Sequence, residues 1–311
     1  MYDAIFIMGP TGVGKTKLLS RLRTTNCFFV INVDSVQIYK NLRIGSALPT
    51  PFEKIGIDYF LSGKISLAER YSVARFYRDC GSVLKEKSNV GRLPFFVGGT
   101  GLYFRAIEEG LSSVPKVDKS FREKVEKELD NMGLATLYAK LVNIDPQLAS
   151  NLHPHDRQRI IRGLEVYEAT GKPLSSFHSK ESKVPLVKNP LKIVIHEPNK
   201  NLHHDRLAKR FDNMLEFGLI NEVKLLLQRN PVNIHSPGLN TVGYRQVILY
   251  LMGALSFSEM RAQAIKESKQ LAKRQMTWFK KERNVIWVES DGIDDALAKI
   301  MVELSRYENK N

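Results

Sequence analysis

A chain of 311 residues, 43% hydrophobic and 26% charged, has the composition of an ordinary globular protein with room for one large core or two lobes, not of a fibrous, disordered or membrane-spanning one. Its formal net charge of +14 at pH 7 and pI near 9.6 favour a polyanionic partner, nucleic acid first. Only two cysteines occur, Cys27 and Cys80, without metal-ligand spacing, so a reducing compartment is expected and no disulfide framework.

The first apolar run, Ala4-Ile5-Phe6-Ile7-Met8, reads as a buried strand. No basic leader precedes it and no apolar stretch approaches the length of a bilayer span, so a cytoplasmic protein without a membrane partner is expected. Next comes Gly9-Pro10-Thr11-Gly12-Val13-Gly14-Lys15-Thr16, which fits G-x-x-x-x-G-K-[ST]. Gly9, Gly12 and Gly14 let the backbone curl until several N–H groups point inward and make an anion nest at a helix N-terminus. Lys15 adds a point charge, and the Thr16 hydroxyl is suited to hold Mg²⁺ beside the phosphates. Leu18, Leu19 and Leu22 supply the helix that this loop requires.

A second buried run, Phe28 to Val33, ends in Asp34-Ser35-Val36-Gln37. Strand ends collect on one edge of a parallel sheet, so Asp34 and Gln37 are expected to face the phosphate loop. Asp34 suits three roles there: a Mg²⁺ ligand, a general base or a helix N-cap. Residues 45–70 are turn-rich and read as a long loop over the site. A helix towards Lys87 and a short strand, Leu93 to Val97, precede Gly98-Gly99-Thr100, where Thr100 either hydrogen-bonds a leaving phosphate oxygen or caps the following helix.

From residue 115 to 189 the sequence turns charged and helix-periodic, with Ile160, Ile161, Leu164 and Tyr167 in register and Gly171 and Pro173 as stops. The strand Leu191 to Ile195 then returns. Helices over Leu202 to Phe217, Leu219 to Gln228 and from the capping box Ser256-Phe257-Ser258-Glu259 follow, before a last strand, Val285 to Val288, and a closing helix. The expected fold is α/β: a P-loop NTPase-like doubly wound parallel sheet formed by residues 1–114 and 190–311, with an all-helical insertion at 115–189.

The helix from Ser258 to Glu282 puts Lys266, Lys269, Lys273 and Lys280 on one face at steps of three, four and seven. A single-sign stripe suits a phosphate backbone better than bulk solvent. Trp278 and Phe279 beside it suit either core packing or stacking on a base. A second cluster, Arg157-Gln158-Arg159-Ile160-Ile161-Arg162, lies in the insertion, and two separated basic surfaces imply an extended anion.

These motifs resemble the bacterial tRNA dimethylallyltransferase family. The likeness is carried by GPTGVGKT, by Val33-Asp34-Ser35 with Gln37 and Tyr39, by GGTGLYF at 98–104 and by His153-Pro154. It continues through QRIIRGLEVYEATGKP at 158–173, RFDNMLEFGLINEV at 210–223, GYRQ at 243–246 and QLAKRQMTWF at 270–279. It implies that a dimethylallyl group moves from its diphosphate to N6 of the adenine next to a tRNA anticodon, with Mg²⁺ required. On that resemblance Gly9, Thr11, Gly12, Val13, Gly14, Lys15 and Thr16 hold a diphosphate rather than a nucleotide. Asp34 takes the amine proton, and Thr100 and Arg206 grip the diphosphate. The anticodon stem-loop is met by Asp34, Ser35, Val36, Gln37, Arg122, Gln158, Arg159, Ile160, Ile161, Arg162, Gly243, Tyr244, Arg245, Lys273, Arg274 and Gln275 of a monomer.

The chain departs from the family pattern at Asp58-Tyr59-Phe60, at Asn240, and at Glu197-Pro198-Asn199-Lys200, where Pro-x-Asp-Arg is usual. Two other readings fit the phosphate loop taken alone. A P-loop small-molecule or nucleotide kinase has no use for the insertion or the lysine stripe. A nucleotide-switched RNA-binding protein would need an Asn-Lys-x-Asp run, which is absent.

Overall fold

Every residue of β1 (Ala4–Met8) and β2 (Phe28–Val33) is buried, as a continuous apolar run must be when both faces of a parallel sheet are covered. The computed structural model describes residues 2–22, 27–87, 91–178, 183–228 and 232–308. With β3 (Tyr59–Phe60), β4 (Leu93–Gly98), β5 (Pro190–His196) and β6 (Val285–Glu289), these strands form one six-stranded parallel sheet in the order β3-β2-β4-β1-β5-β6.

Register brings Met8 level with Gly98 and Val194, and Val33 level with Gly98, so the carboxyl ends of the four inner strands share one edge. Alternation sends Phe6, Met8, Phe29 and Ile31 to one face, under α2 (Val73–Lys87), α3 (Gly101–Glu109) and α10 (Phe257–Phe279). Ile5, Ile7, Val30 and Phe95 go to the other face, under α1 (Lys15–Leu22) and α11 (Ile293–Glu308). The expected doubly wound sheet is therefore present. β3 and the helix Tyr244–Leu251 are not among the expected elements: a two-residue strand inside a turn-rich stretch and a helix of eight residues show too little of a period.

The chain divides into two compact units, residues 1–108 with 186–311, and Glu109–Pro185. The regular elements among the second unit's described residues are all helices, and residues 179–182 of the expected insertion lie outside the described residues. Its α4 (Lys119–Ile144) is broken at Gly133, whose φ of 79° and ψ of 164° interrupt the helix. Val125, Leu137 and Leu141 of α4 bury themselves against Ile160, Ile161 and Leu164 of α6 (Arg157–Thr170), a helix closed by a left-handed Gly171.

Candidate active site

The phosphate loop leaves β1 at the shared strand edge and ends where α1 begins. Gly9 has a φ of +154°, and a Cβ there would lie 2.4 Å from the Ile195 carbonyl oxygen, so no side chain fits. The loop is braced by residues distant in sequence. Thr11 N–H donates to Gln275 Oε1 of α10 at 2.9 Å, and His203 Nε2, on α7 (Lys200–Glu216), lies 2.9 Å from the Thr11 carbonyl oxygen. A carbonyl only accepts, so Nε2 carries the proton. Lys15 Nζ donates to the Gly9 and Pro10 carbonyl oxygens, each at 2.8 Å.

A cavity of about 510 Å³ opens beside this loop, lined among others by Thr11, Lys15, Thr16, Asp34, Arg206 and Arg210. Its wall also carries Leu207, Phe211, Met214 and Leu271, which makes the cavity cationic and apolar at once. Asp34 Oδ1 accepts the N–H groups of Val36 (2.8 Å) and Gln37 (3.2 Å), while Oδ2 makes no hydrogen bond among the described residues. One oxygen thus caps the turn that follows, where a helix N-cap was one expectation, and the other oxygen is left open to a proton or a cation. Thr100 Oγ1 accepts the Ser35 N–H at 3.2 Å, tying the ends of β2 and β4 together and leaving its own O–H to donate. Gln37 Nε2 donates to the Ser46 and Ala47 carbonyls, both at 3.1 Å, which draws the 45–49 segment into the cavity wall.

Arg206 Nη1 donates to Ser290 Oγ at 2.5 Å and pairs with Glu197 Oε2 at 2.9 Å. Burial pushes the Glu197 carboxyl up, but the Ser290 hydroxyl, the Asn199 N–H and the Arg206 charge outweigh it and leave the group below the usual carboxylate range. Arg210, one helical turn on, was not singled out in the sequence. Burial lowers its pKa against the pull of Asp34, and no described residue hydrogen-bonds or ion-pairs with it. Its signal was available as the i, i+4 spacing from Arg206 on a helix whose intervening Leu207 is apolar.

Burial lowers the Lys15 ammonium to about 7, with the nearby Arg210 charge acting in the same direction and Asp34 opposing both. Lys15 is therefore charged below about pH 7 and increasingly neutral above it. A bound anion favours the charged form, so binding above that pH takes up a proton. Affinity for inorganic diphosphate is expected to fall by up to about tenfold per pH unit above 7. The Lys15→Arg protein, whose charge does not titrate, serves as the reference for titration of the anion itself. Parallel calorimetric profiles for the two proteins would contradict the assignment.

The remaining expected contacts distribute unevenly. Gln158 is exposed, Arg159 pairs with Asp156, and Arg122 and Arg162 both reach Glu165, at 3.7 and 2.5 Å. Ile160 and Ile161 were expected at an RNA surface. Both are core residues of the second unit, because the helix turns them towards Leu137 and Leu141, and their side chains require correction to a packing role. Tyr244, at the start of α9 (Tyr244–Leu251) after Gly243, needs the same correction. It is fully buried and donates its hydroxyl to Glu222 Oε1 at 2.5 Å. Arg245 is exposed and pairs with Glu267 at 2.5 Å. Lys273 and Arg274 are exposed, whereas Gln275 faces the phosphate loop. Trp278 packs under Arg105, 4.7 Å from its ring centroid, and Phe279 is buried, which is the packing role.

Comparison with known proteins bears on this geometry. A family model described as IPP transferase matches residues 37–282, and one described as isopentenyl transferase matches residues 2–66. The tRNA dimethylallyltransferase of Thioalkalivibrio sulfidiphilus is 40% identical over 293 residues, covering 94% of this chain and 92% of that protein. That of Nitrosococcus oceani is 38% identical over 306 residues, 97% of each chain. The crystal structure of the tRNA isopentenylpyrophosphate transferase of Bacillus halodurans superimposes with a TM-score of 0.70 at 31% identity, covering 99% of both chains. A eukaryotic dimethylallyltransferase acting on tRNA gives 0.77 at 25% identity, covering 93% of this chain and 74% of that one. Matched from Tyr2 to Glu282 by family models, and by relatives of this identity across nearly its whole length, the chain belongs to the IPP transferase family, that of the tRNA dimethylallyltransferases.

Proposed function

We propose that the protein transfers a dimethylallyl group from dimethylallyl diphosphate to N6 of the adenine 3′ to the anticodon of tRNA, releasing diphosphate. The observation that supports this best is the single cavity in which a phosphate loop, two arginines, a half-free carboxylate and an apolar wall meet. The donor's diphosphate belongs on the loop amides and Lys15, and its five-carbon chain against Leu207, Phe211 and Met214. As the allylic C–O bond breaks, charge grows on the diphosphate oxygens, where Lys15, Arg206, Arg210 and the Thr100 hydroxyl stabilise it. The new N–C bond forms from the adenine amine, whose proton passes to Asp34 Oδ2. The base leaves its stack to reach the cavity.

Among the described residues no three His, Cys, Asp or Glu side chains converge on a metal site. The Thr16 hydroxyl on the cavity wall is a hard oxygen ligand, and with the donor's own oxygens it fits a Mg²⁺ ion, which supplies charge neutralisation on the leaving group. No described helix is long and apolar enough to cross a membrane. The cellular form we propose is a cytoplasmic monomer acting on the anticodon stem-loop. The direct test is incubation with dimethylallyl diphosphate, Mg²⁺ and unmodified tRNA, followed by mass analysis of the nucleosides. Phosphoryl transfer from ATP with no prenylated adenosine would favour the kinase reading instead.

The tRNA surface has its own test. Lys273 is exposed and Lys269 half-buried on the same face of α10, and the second unit carries Arg157 and Gln158 exposed. Neutralising Lys269 and Lys273 together is expected to make the slope of log tRNA affinity against log salt shallower by roughly one to two units, with donor affinity unchanged. An unchanged slope would make that face a solvated one.

A further inference from the structure

Glu197 follows β5 directly, in one of the segments where the chain departs from its family pattern, and its side chain is only 6% exposed. Three groups fix it. Oε1 accepts the Asn199 N–H at 3.0 Å, while Oε2 accepts the Ser290 hydroxyl at 2.7 Å and meets Arg206 Nη1 at 2.9 Å. Ser290 is itself held, its N–H donating to the His196 carbonyl at 2.7 Å where β5 and β6 end. Asn199, the next residue but one, caps α7 by accepting the N–H groups of Asn201 and Leu202 at 3.0 and 3.2 Å. The carboxylate is thus anchored to the rim of the sheet, and the helix bearing Arg206 starts from the same turn.

Arg206 lines the cavity, yet only its Nη1 is engaged among the described residues. Five N–H donors in a rigid planar fork mean that fixing one end fixes the direction of the rest. We infer that Glu197, with Ser290, is a positioning pair that holds Arg206 by one nitrogen and leaves Nε and Nη2 aimed at the donor's diphosphate. This rests on the reaction proposed above. The pair supplies rotamer restriction rather than charge to the ligand; without it a long, half-exposed arginine samples many orientations, and a guanidinium displaced by about an ångström loses much of its value to the leaving group.

A double-mutant cycle separates this from a merely structural role. Wild type, Glu197→Ala, Arg206→Ala and the double variant are compared for kcat/KM with dimethylallyl diphosphate and for calorimetric affinity for inorganic diphosphate. Glu197→Ala is expected to lower kcat/KM by about tenfold when Arg206 is present and by less than about twofold when it is absent. Glu197→Gln keeps the shape and one acceptor oxygen; it is expected to show the same confinement with a smaller loss, and it carries the test if the alanine protein is unstable. Equal losses in both backgrounds, in both measurements, would assign Glu197 to the start of α7 alone and overturn the inference. A wild-type protein that binds diphosphate but transfers nothing to tRNA would overturn the proposed reaction, and the cycle read on diphosphate affinity would still decide the role of Glu197.

Discussion

Lys15→Met is expected to lower kcat/KM for dimethylallyl diphosphate by about 10² to 10³-fold, the range seen when a single donor to a developing anion is removed. The structure explains why one side chain carries so much. Lys15 is held by two loop carbonyls at the head of α1, in surroundings that already contain Arg210, and burial brings its ammonium down to about 7. Such an ammonium is poorly solvated before the donor arrives and gains strongly from a diphosphate that gathers charge as its bond breaks. Methionine keeps the stem and removes the charge, so the loop, whose shape is set by Gly9, Gln275 and His203, should persist. tRNA affinity and its salt slope should not change, because the lysine stripe lies elsewhere on α10. Steady-state transfer at varied donor concentration is the measurement; a variant within a few-fold of wild type would remove Lys15 from the leaving-group site.

Asp34→Asn is expected to cut turnover by roughly 10²-fold or more, the loss typical of a removed general base. Asparagine can keep the oxygen that accepts from Val36 and Gln37 and replaces only the free one, so the turn survives while the proton acceptor disappears. Asp34→Ala removes both functions, and comparing the two separates them. If the base dominates, alanine and asparagine lose similar turnover and alanine alone loses thermal stability. Near-normal turnover in the asparagine protein would reduce Asp34 to its capping role.

The two sites differ in how far the sequence reveals them. The phosphate loop is local: glycines, lysine and threonine act within eight positions, and flanking apolar runs announce the strand and the helix. Asp34 follows from its place after a buried run, since parallel strands gather their ends. Other parts depend on the folded chain. No pattern near Thr11 announces Gln275 or His203, and β3 is too short for a period. Ile160, Ile161 and Tyr244 sit inside motifs that invite a binding role, yet a motif does not say which way a helix turns its side chains. Arg210 lies between these cases: its spacing from Arg206 is visible, but spacing alone does not show that both guanidiniums line one cavity.

The bond from Thr11 to Gln275 spans 264 positions. On a ribosome the phosphate loop is therefore made 264 residues ahead of one of its braces. A nascent chain halted before α10 carries the loop sequence with the Thr11 amide unsupported, together with the strand and helix that flank it. The helix that braces the loop also bears the lysine stripe, so that brace and that basic face arrive in the same stretch of synthesis.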